Sequence, residues 1–192
     1  MQKNEVQFAV LTGGKSSRFG GNKLNHVLKG KTILQQTVEK INKRSDLPIL
    51  IIGKHNVYVS NVEFHKDLKL GLGPLRGIYT ALSYASAKYV FILAGDMPYI
   101  QSELINFLIS HINHEKDVII PIKKGLYEPL FAIYKTSLVP HFEKFLKKEQ
   151  YKISIALNGL DILEISEKHW REYDNNGTSF HNINTKNDLS IK

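Results

Sequence analysis

The chain has 192 residues, and its Lys+Arg 26 against Asp+Glu 18 give a formal net charge of +8. It holds no cysteine, which excludes thiol catalysis, disulfides, zinc fingers and iron–sulfur clusters. With 42% hydrophobic and 23% charged residues it is too apolar for a disordered chain, and its length fits one domain over residues 1–192, since domains commonly run to roughly 100–200 residues.

The start is polar and runs straight into a short apolar segment, unlike a signal peptide. No apolar run approaches the roughly 20 residues needed to span a bilayer. The expected location is the cytoplasm, with no membrane partner. The positive balance fits nucleic acid, an anionic membrane surface or small polyanionic substrates, and composition does not choose among them.

Strands and helices alternate along the chain. Gln7–Thr12 is a short apolar run ending in Gly13-Gly14, which reads as a buried strand. A glycine-rich basic loop follows to Lys23. Thr32–Lys43 spaces Ile33, Val38 and Ile41 as a helix does, and Pro48–Ile52 before Gly53 is a second strand. Leu75–Ser86 reads as a helix behind Pro74, and Tyr89–Ala94 as a third buried strand. Ser102 is placed to cap a helix over Glu103–Ile112. Val118–Pro121 is another short strand. The rhythm then shifts: Glu128–Tyr134 extended, Leu138–Lys148 helical, Ile162–Ile165 and Phe180–Ile183 extended. Thr185 and Asp188 then stand at capping-box spacing for a terminal helix.

Continuous apolar strands separated by helices predict a single-domain, Rossmann-like α/β fold. Its sheet is mostly parallel with helices on both faces, and the C-terminal portion is mixed α/β. Ligands of such sheets bind outside the C-terminal ends of the strands.

Three places stand out there. In the first loop, Leu11-Thr12-Gly13-Gly14-Lys15-Ser16-Ser17-Arg18-Phe19-Gly20-Gly21-Asn22-Lys23, paired glycines let the backbone approach a ligand and turn its N–H groups toward phosphate. Arg18 can grip phosphate oxygens as a fork, and Lys23 can act as a point charge. The loop is not a P-loop, because the leading glycine would fall at Ala9, inside the strand. The alternative is a flexible turn with solvated cations.

The second place is Gly95-Asp96-Met97-Pro98, just past the third strand. A lone carboxylate facing a phosphate loop suits Mg²⁺, which takes one or two protein carboxylates and fills its shell with phosphate oxygens and water. The alternative is a turn aspartate bonding its own backbone. The third place comprises Asp67–Ile78, a glycine-rich connection into a helix, and Asn182 and Asn184, at alternate positions of an extended segment. These asparagines would face ligand or metal-bound water, or cap the final helix. His111 and His114, Trp170 and Tyr173, and Lys144–Lys148 read as surface or packing residues.

Together these segments resemble the molybdenum-cofactor guanylyltransferases, the MobA-like members of the nucleotidyltransferase superfamily. LTGGKSSRFGGNK is similar to the family's opening signature, and GPLRGI, AGDMP, EPLFAIY and FHNINTKNDL follow in family order. The resemblance implies transfer of GMP from GTP to the terminal phosphate of molybdopterin, with loss of pyrophosphate. It implies that Leu11, Gly13 and Gly14 meet the guanine and ribose through backbone, with Thr12 in the same GTP set. Arg18 and Lys23 would hold the triphosphate, Gly73 would border the nucleotide, and Asp67 matches the acidic residue ahead of the GPL segment. Asp96 would bind Mg²⁺, making Arg18, Lys23 and Asp96 the catalytic set. Asn182 and Asn184 match paired asparagines near the pterin or metal. Cofactor-delivery proteins and recipient molybdoenzymes are the implied protein partners.

Thr12, Phe19 and Asn22 depart from the family's usual alanine, methionine and aspartate. The rival readings are a nucleotidyltransferase using CTP or another phosphate acceptor, a non-catalytic nucleotide-binding protein, and a basic nucleic-acid-binding module. Gly14 favours a purine over CTP on steric grounds. The chain carries no recognised nucleic-acid motif, so no nucleic-acid partner is expected.

Overall fold

The computed structural model describes residues 4–13, 19, 21–42, 44, 46–68 and 73–190. In chain order the strands are β1 (Val6–Leu11), β2 (Val27–Leu28), β3 (Lys31–Thr32), β4 (Ile49–Ile52), β5 (Val62–His65), β6 (Tyr89–Ala94), β7 (Val118–Lys123), β8 (Leu126–Tyr127), β9 (Phe131–Lys135) and β10 (Ile162–Ile165). The helices are α1 (Ile33–Ile41), α2 (Pro74–Tyr84), α3 (Ser102–Ile109), α4 (Val139–Lys147), α5 (Ile153–Ala156) and α6 (Glu167–Trp170).

The main sheet has the order β10-β7-β9-β6-β1-β4-β5. Pairing is parallel for β1 with β4 and β6, for β4 with β5, and for β7 with β10. β9 runs against its neighbours β6 and β7, and the short β8 pairs antiparallel with β7 off this path. This is the mostly parallel α/β sheet that the apolar runs predict.

All six residues of β1 and all six of β6 are buried, because helices cover both sheet faces. The side-chain period of two splits them between two cores. Phe8, Val10, Phe91 and Leu93 point to the side where Leu34, Val38 and Ile41 of α1 and Leu104, Ile105 and Leu108 of α3 pack. Ala9, Leu11, Val90 and Ile92 point to the other, under Leu75, Ile78 and Leu82 of α2 and Phe142 and Leu146 of α4. Each such large side chain contributes about 1.5–3 kcal/mol by leaving water.

Helix starts follow local chemistry. The Thr32 hydroxyl accepts from the Gln35 N–H at 3.1 Å and caps α1. Pro74 opens α2 at its first position, where a missing N–H costs nothing. Ser102 does not cap α3: it is the helix's first residue, behind Gln101. The Gln101 N–H is instead satisfied by the distant Ser179 hydroxyl at 2.8 Å.

The sequence reading misses β2, β3, β5, β8, α5 and α6, and misassigns Phe180–Ile183. The β2–β3 hairpin turns at Lys29-Gly30, both at positive φ (52° and 83°), as a two-residue primed turn requires. Strand β5 is an edge strand and only partly buried, so its apolar signal is weak. Phe180–Ile183 is not a strand. Residues Thr178–Phe180 form a 3₁₀ turn, and the Ile183 N–H bonds the Asp96 carbonyl at 3.0 Å rather than a ladder partner. The terminal helix is a 3₁₀ turn over Lys186–Ser190, and Asp188 Oδ2 accepts from the Asn184 and Thr185 N–H groups at 2.8 and 2.7 Å. That is the returning half of the predicted capping box. Trp170 is packed, as expected, with its indole N–H on the Ile122 carbonyl at 2.8 Å. Among the described residues no helix is long and apolar enough to cross a membrane.

Candidate active site

From β1 the chain crosses to β4 on one side of the sheet; from β6 it crosses to β7 on the other. The crevice between the C-terminal ends of β1 and β6 is therefore the topological switch point, where open α/β sheets take ligands. Leu11 and Ala94 end the two strands in register, and the Gly95 N–H bonds the Leu11 carbonyl at 2.9 Å. A cavity of about 580 Å³ opens there.

Its walls come from eight separate stretches of the chain. Leu11, Thr12 and Gly13 leave β1, and Ala94, Gly95 and Asp96 leave β6. Lys23 and Leu24 stand on a single 3₁₀ turn. Ile52, Lys54 and His55 follow β4, while Asp67, Gly73, Pro74 and Gly77 form the far wall. Leu130 and Asn182 close the remaining side.

Most residues singled out in the sequence thus meet. Lys23 Nζ donates to Asp96 Oδ2, and also to Asn184 Oδ1 at 3.3 Å. That second contact moves Asn184 beside the lysine. Asp96 is 7% exposed, and its carbonyl holds the Asn182–Asn184 segment through Ile183. The Asn182 Oδ1 atom is buried without a hydrogen-bond partner among the described residues. Gly14 and Arg18 lie outside the described residues, as does most of the first loop.

The sequence departures have local reasons. The Thr12 hydroxyl donates to the Ile52 carbonyl at 3.0 Å and accepts from the His55 N–H at 3.2 Å, so it ties β1 to the loop after β4. Phe19 is buried against Ile33 and Ile183. The Asn22 amide nitrogen lies 3.1 Å from His55 Nδ1. Burial, reinforced by the Lys54 charge, holds His55 below the usual histidine range. The ring is thus neutral at pH 7, and protonated on Nε2 it accepts the Asn22 bond at Nδ1.

Sequence reading missed Lys54 and His55. Their signal is the same as for Asp96, a polar residue just past a buried strand, here β4. Just before them, Gly53 has φ 124°, and a Cβ there would sit 2.9 Å from the Gly13 backbone nitrogen. Gly53→Ala adds left-handed strain to a backbone clash, and should cost about 2–4 kcal/mol. A urea titration checks this; an unchanged midpoint would contradict the close approach.

Asp67 is half-buried at the far wall. Burial pushes its carboxyl above the usual range, against the opposing pull of Arg76 and, less, Lys54. The cavity therefore holds a partly desolvated carboxyl as well as a lysine–aspartate pair, which suits a ligand carrying both hydrogen-bonding and anionic groups.

The family model of the MobA-like NTP transferase domain matches residues 8–160. The chain belongs to the MobA-like NTP transferase family. A probable molybdenum cofactor guanylyltransferase of Natranaerobius thermophilus is 37% identical over 97% of this chain and 94% of its own length. A molybdenum cofactor guanylyltransferase of Desulfosudis oleivorans is 34% identical, covering 94% and 90%. The crystal structure of molybdopterin-guanine dinucleotide biosynthesis protein A from Archaeoglobus fulgidus superimposes with a TM-score of 0.82 at 27% identity, over 95% of this chain and 94% of that one. As a MobA-like protein the chain is a nucleotidyltransferase, and the crevice between β1 and β6 is its candidate active site.

Proposed function

We propose that this enzyme transfers GMP from GTP to the terminal phosphate of molybdopterin, releasing pyrophosphate and forming the guanine dinucleotide cofactor. The observation that carries the reading is that Lys23, which lines the switch-point cavity with Asp96, bonds both Asp96 and Asn184. The names of relatives that align over nearly the whole chain support it.

The acceptor phosphate attacks the α-phosphorus, and the α–β phosphoanhydride bond breaks. A phosphate monoester has its second pKa near 6 and is largely dianionic at about pH 7, so it needs no Ser, Cys or His nucleophile. The protein's task is alignment and charge neutralisation. Lys23 supplies a point charge from the floor of the cavity. Arg18, from the loop outside the described residues, would grip the triphosphate with it. Leu11, Thr12 and Gly13 border the nucleoside with Gly14, Gly73 lets it approach the start of α2, and Asp67 accepts from the purine's amide edge.

The residues fit a divalent cation. No cluster of three or more His, Asp or Glu occurs among the described residues, so the protein would offer few ligands and leave the rest to phosphate oxygens and water, as Mg²⁺ accepts. Asp96 would hold it, with the unpartnered Asn182 oxygen facing the same cavity. Bound there, Mg²⁺ would neutralise charge on the phosphate oxygens. Asn182 and Asn184 would serve the acceptor side, Asn184 while steadying Lys23. We take residues 1–192 to act as one nucleotidyltransferase domain in the cytoplasm, exchanging the cofactor with delivery proteins and recipient molybdoenzymes.

The test incubates the protein with molybdenum cofactor, MgCl₂ and either GTP or CTP, and follows pyrophosphate. Turnover with GTP is expected. Turnover with CTP alone would defeat the guanine assignment.

A further inference from the structure

Arg76 is the third residue of α2 and only 4% exposed, yet it does not line the cavity. Its Nε and Nη1 atoms are buried with no hydrogen-bond partner among the described residues. A buried guanidinium with unmatched donors is costly unless an anion compensates it. The Asp67 carboxyl feels the Arg76 charge, and the fold brings the two segments together. Thr80 sits one turn further along α2, on the same face as Arg76. Its hydroxyl accepts the Leu68 N–H at 3.2 Å, which pins the 67–68 backbone onto this face of the helix. Asp67, next to that bond, lines the cavity wall with Gly73 and Gly77 on either side of Arg76. From the other flank, the Tyr151 ring lies 5.8 Å from the guanidinium carbon and limits its movement. Gly73 abuts the same Tyr151, its would-be Cβ 3.6 Å from the Tyr151 carbonyl oxygen.

We propose that Arg76 is a specificity-positioning residue, acting from behind the cavity wall to orient the Asp67 carboxylate, as an anion, toward the amide edge of the bound purine. This rests on the guanylyl reading above. Guanine presents N1–H and a 2-amino group, both donors, and an ionised carboxylate accepts both. A protonated Asp67 would carry a donor of its own and lose that match. Desolvation favours the protonated form, and the charges that oppose it are Arg76 from α2 and Lys54 from the loop after β4. His55, on that same loop, is neutral and does not help. Removing Arg76 therefore takes away the larger of the two opposing charges.

The sign follows directly. Ionised Asp67 is needed for tight binding, so GTP affinity falls as pH drops through the Asp67 pKa. Without Arg76 that fall starts at higher pH.

The test measures Kd by calorimetry for GTP and for ITP, which lacks the 2-amino group, from pH 5 to 8. Wild type, Arg76→Met, Arg76→Lys and Asp67→Asn are compared, with folding followed by circular dichroism. Wild type should prefer GTP over ITP by about tenfold or more, the scale of one hydrogen bond to a charged group. Arg76→Met should lose most of this preference and shift the loss of GTP affinity to higher pH, and Arg76→Lys should restore both. Asp67→Asn should lose the preference and the pH dependence together, which keeps the proposal testable even if Arg76→Met fails to fold. A folded Arg76→Met with the wild-type preference and pH profile would overturn the role of Arg76 alone, as would an Asp67→Asn that keeps both. A wild type that binds CTP and not GTP would overturn the guanylyl reading itself.

Discussion

Asp96→Asn should lower kcat/KM for GTP on the order of 10²–10³-fold, the usual loss when one aligned electrostatic group is removed from a charge-stabilising site. The substitution keeps shape and removes charge. Asp96 is nearly buried and pairs with Lys23 through its side chain. Its carbonyl, which holds Ile183, belongs to the backbone and is untouched. The fold and the Asn182–Asn184 segment should therefore survive, so lost activity would report charge rather than architecture. If Asp96 anchors Mg²⁺, the variant should also need more MgCl₂ for half-maximal rate. A folded Asp96→Asn with near-normal turnover would leave Asp96 a turn residue and remove the metal assignment.

Lys23→Met should be nearly as severe, with a fall in kcat/KM of about 100-fold, since on the proposed reading its charge would neutralise the triphosphate. Methionine keeps the stem that stands on the short 3₁₀ turn and loses the ammonium that bonds both Asp96 and Asn184. Lys23→Arg should recover only part of the activity, because a planar fork does not reproduce a compact charge between two oxygen acceptors. Steady-state kinetics with GTP at fixed acceptor would check this. Equal rates for Lys23→Met and wild type would place the triphosphate elsewhere.

The framework was open to reading because burial writes itself into sequence. β1 and β6 are covered on both faces, so they read as unbroken apolar runs, and their C-terminal ends then directed attention to Gly13 and Asp96. The edge strand β5 carries Glu63 and His65 among its four residues and gave no such run. Phe180–Ile183 looked like a strand because Phe180 and Ile183 are buried. They pack beside the loop after β6 without joining the sheet, and local pattern does not distinguish those two kinds of burial. Around the cavity, the motif residues Lys23 and Asp96 were singled out from sequence and the neighbouring Lys54 and His55 were not. Lys54 and His55 follow a four-residue strand with no motif to mark them. Arg76 sat in plain view within GPLRGI, but its meaning depends on Asp67 being held against the same helix face by the Leu68–Thr80 bond. That contact spans a segment whose spacing carries no periodic signal.

The charge of +8 also takes on a location. Lys23 and Lys54 line the cavity and Arg76 is buried on α2 between the lining residues Pro74 and Gly77, while Lys144, Lys147 and Lys148 stand exposed at the end of α4. On the proposed reading the first group would meet a phosphate-bearing nucleotide; the second is the solvated face of an amphipathic helix.

The central claim is attack at the α-phosphorus of GTP, and [α-³²P]GTP tests it most directly. With molybdenum cofactor and MgCl₂, the account predicts that label enters the pterin product and that unlabelled pyrophosphate is released in equal amount. Label recovered in GDP, with the γ-phosphate passed to the acceptor or to water, would contradict it.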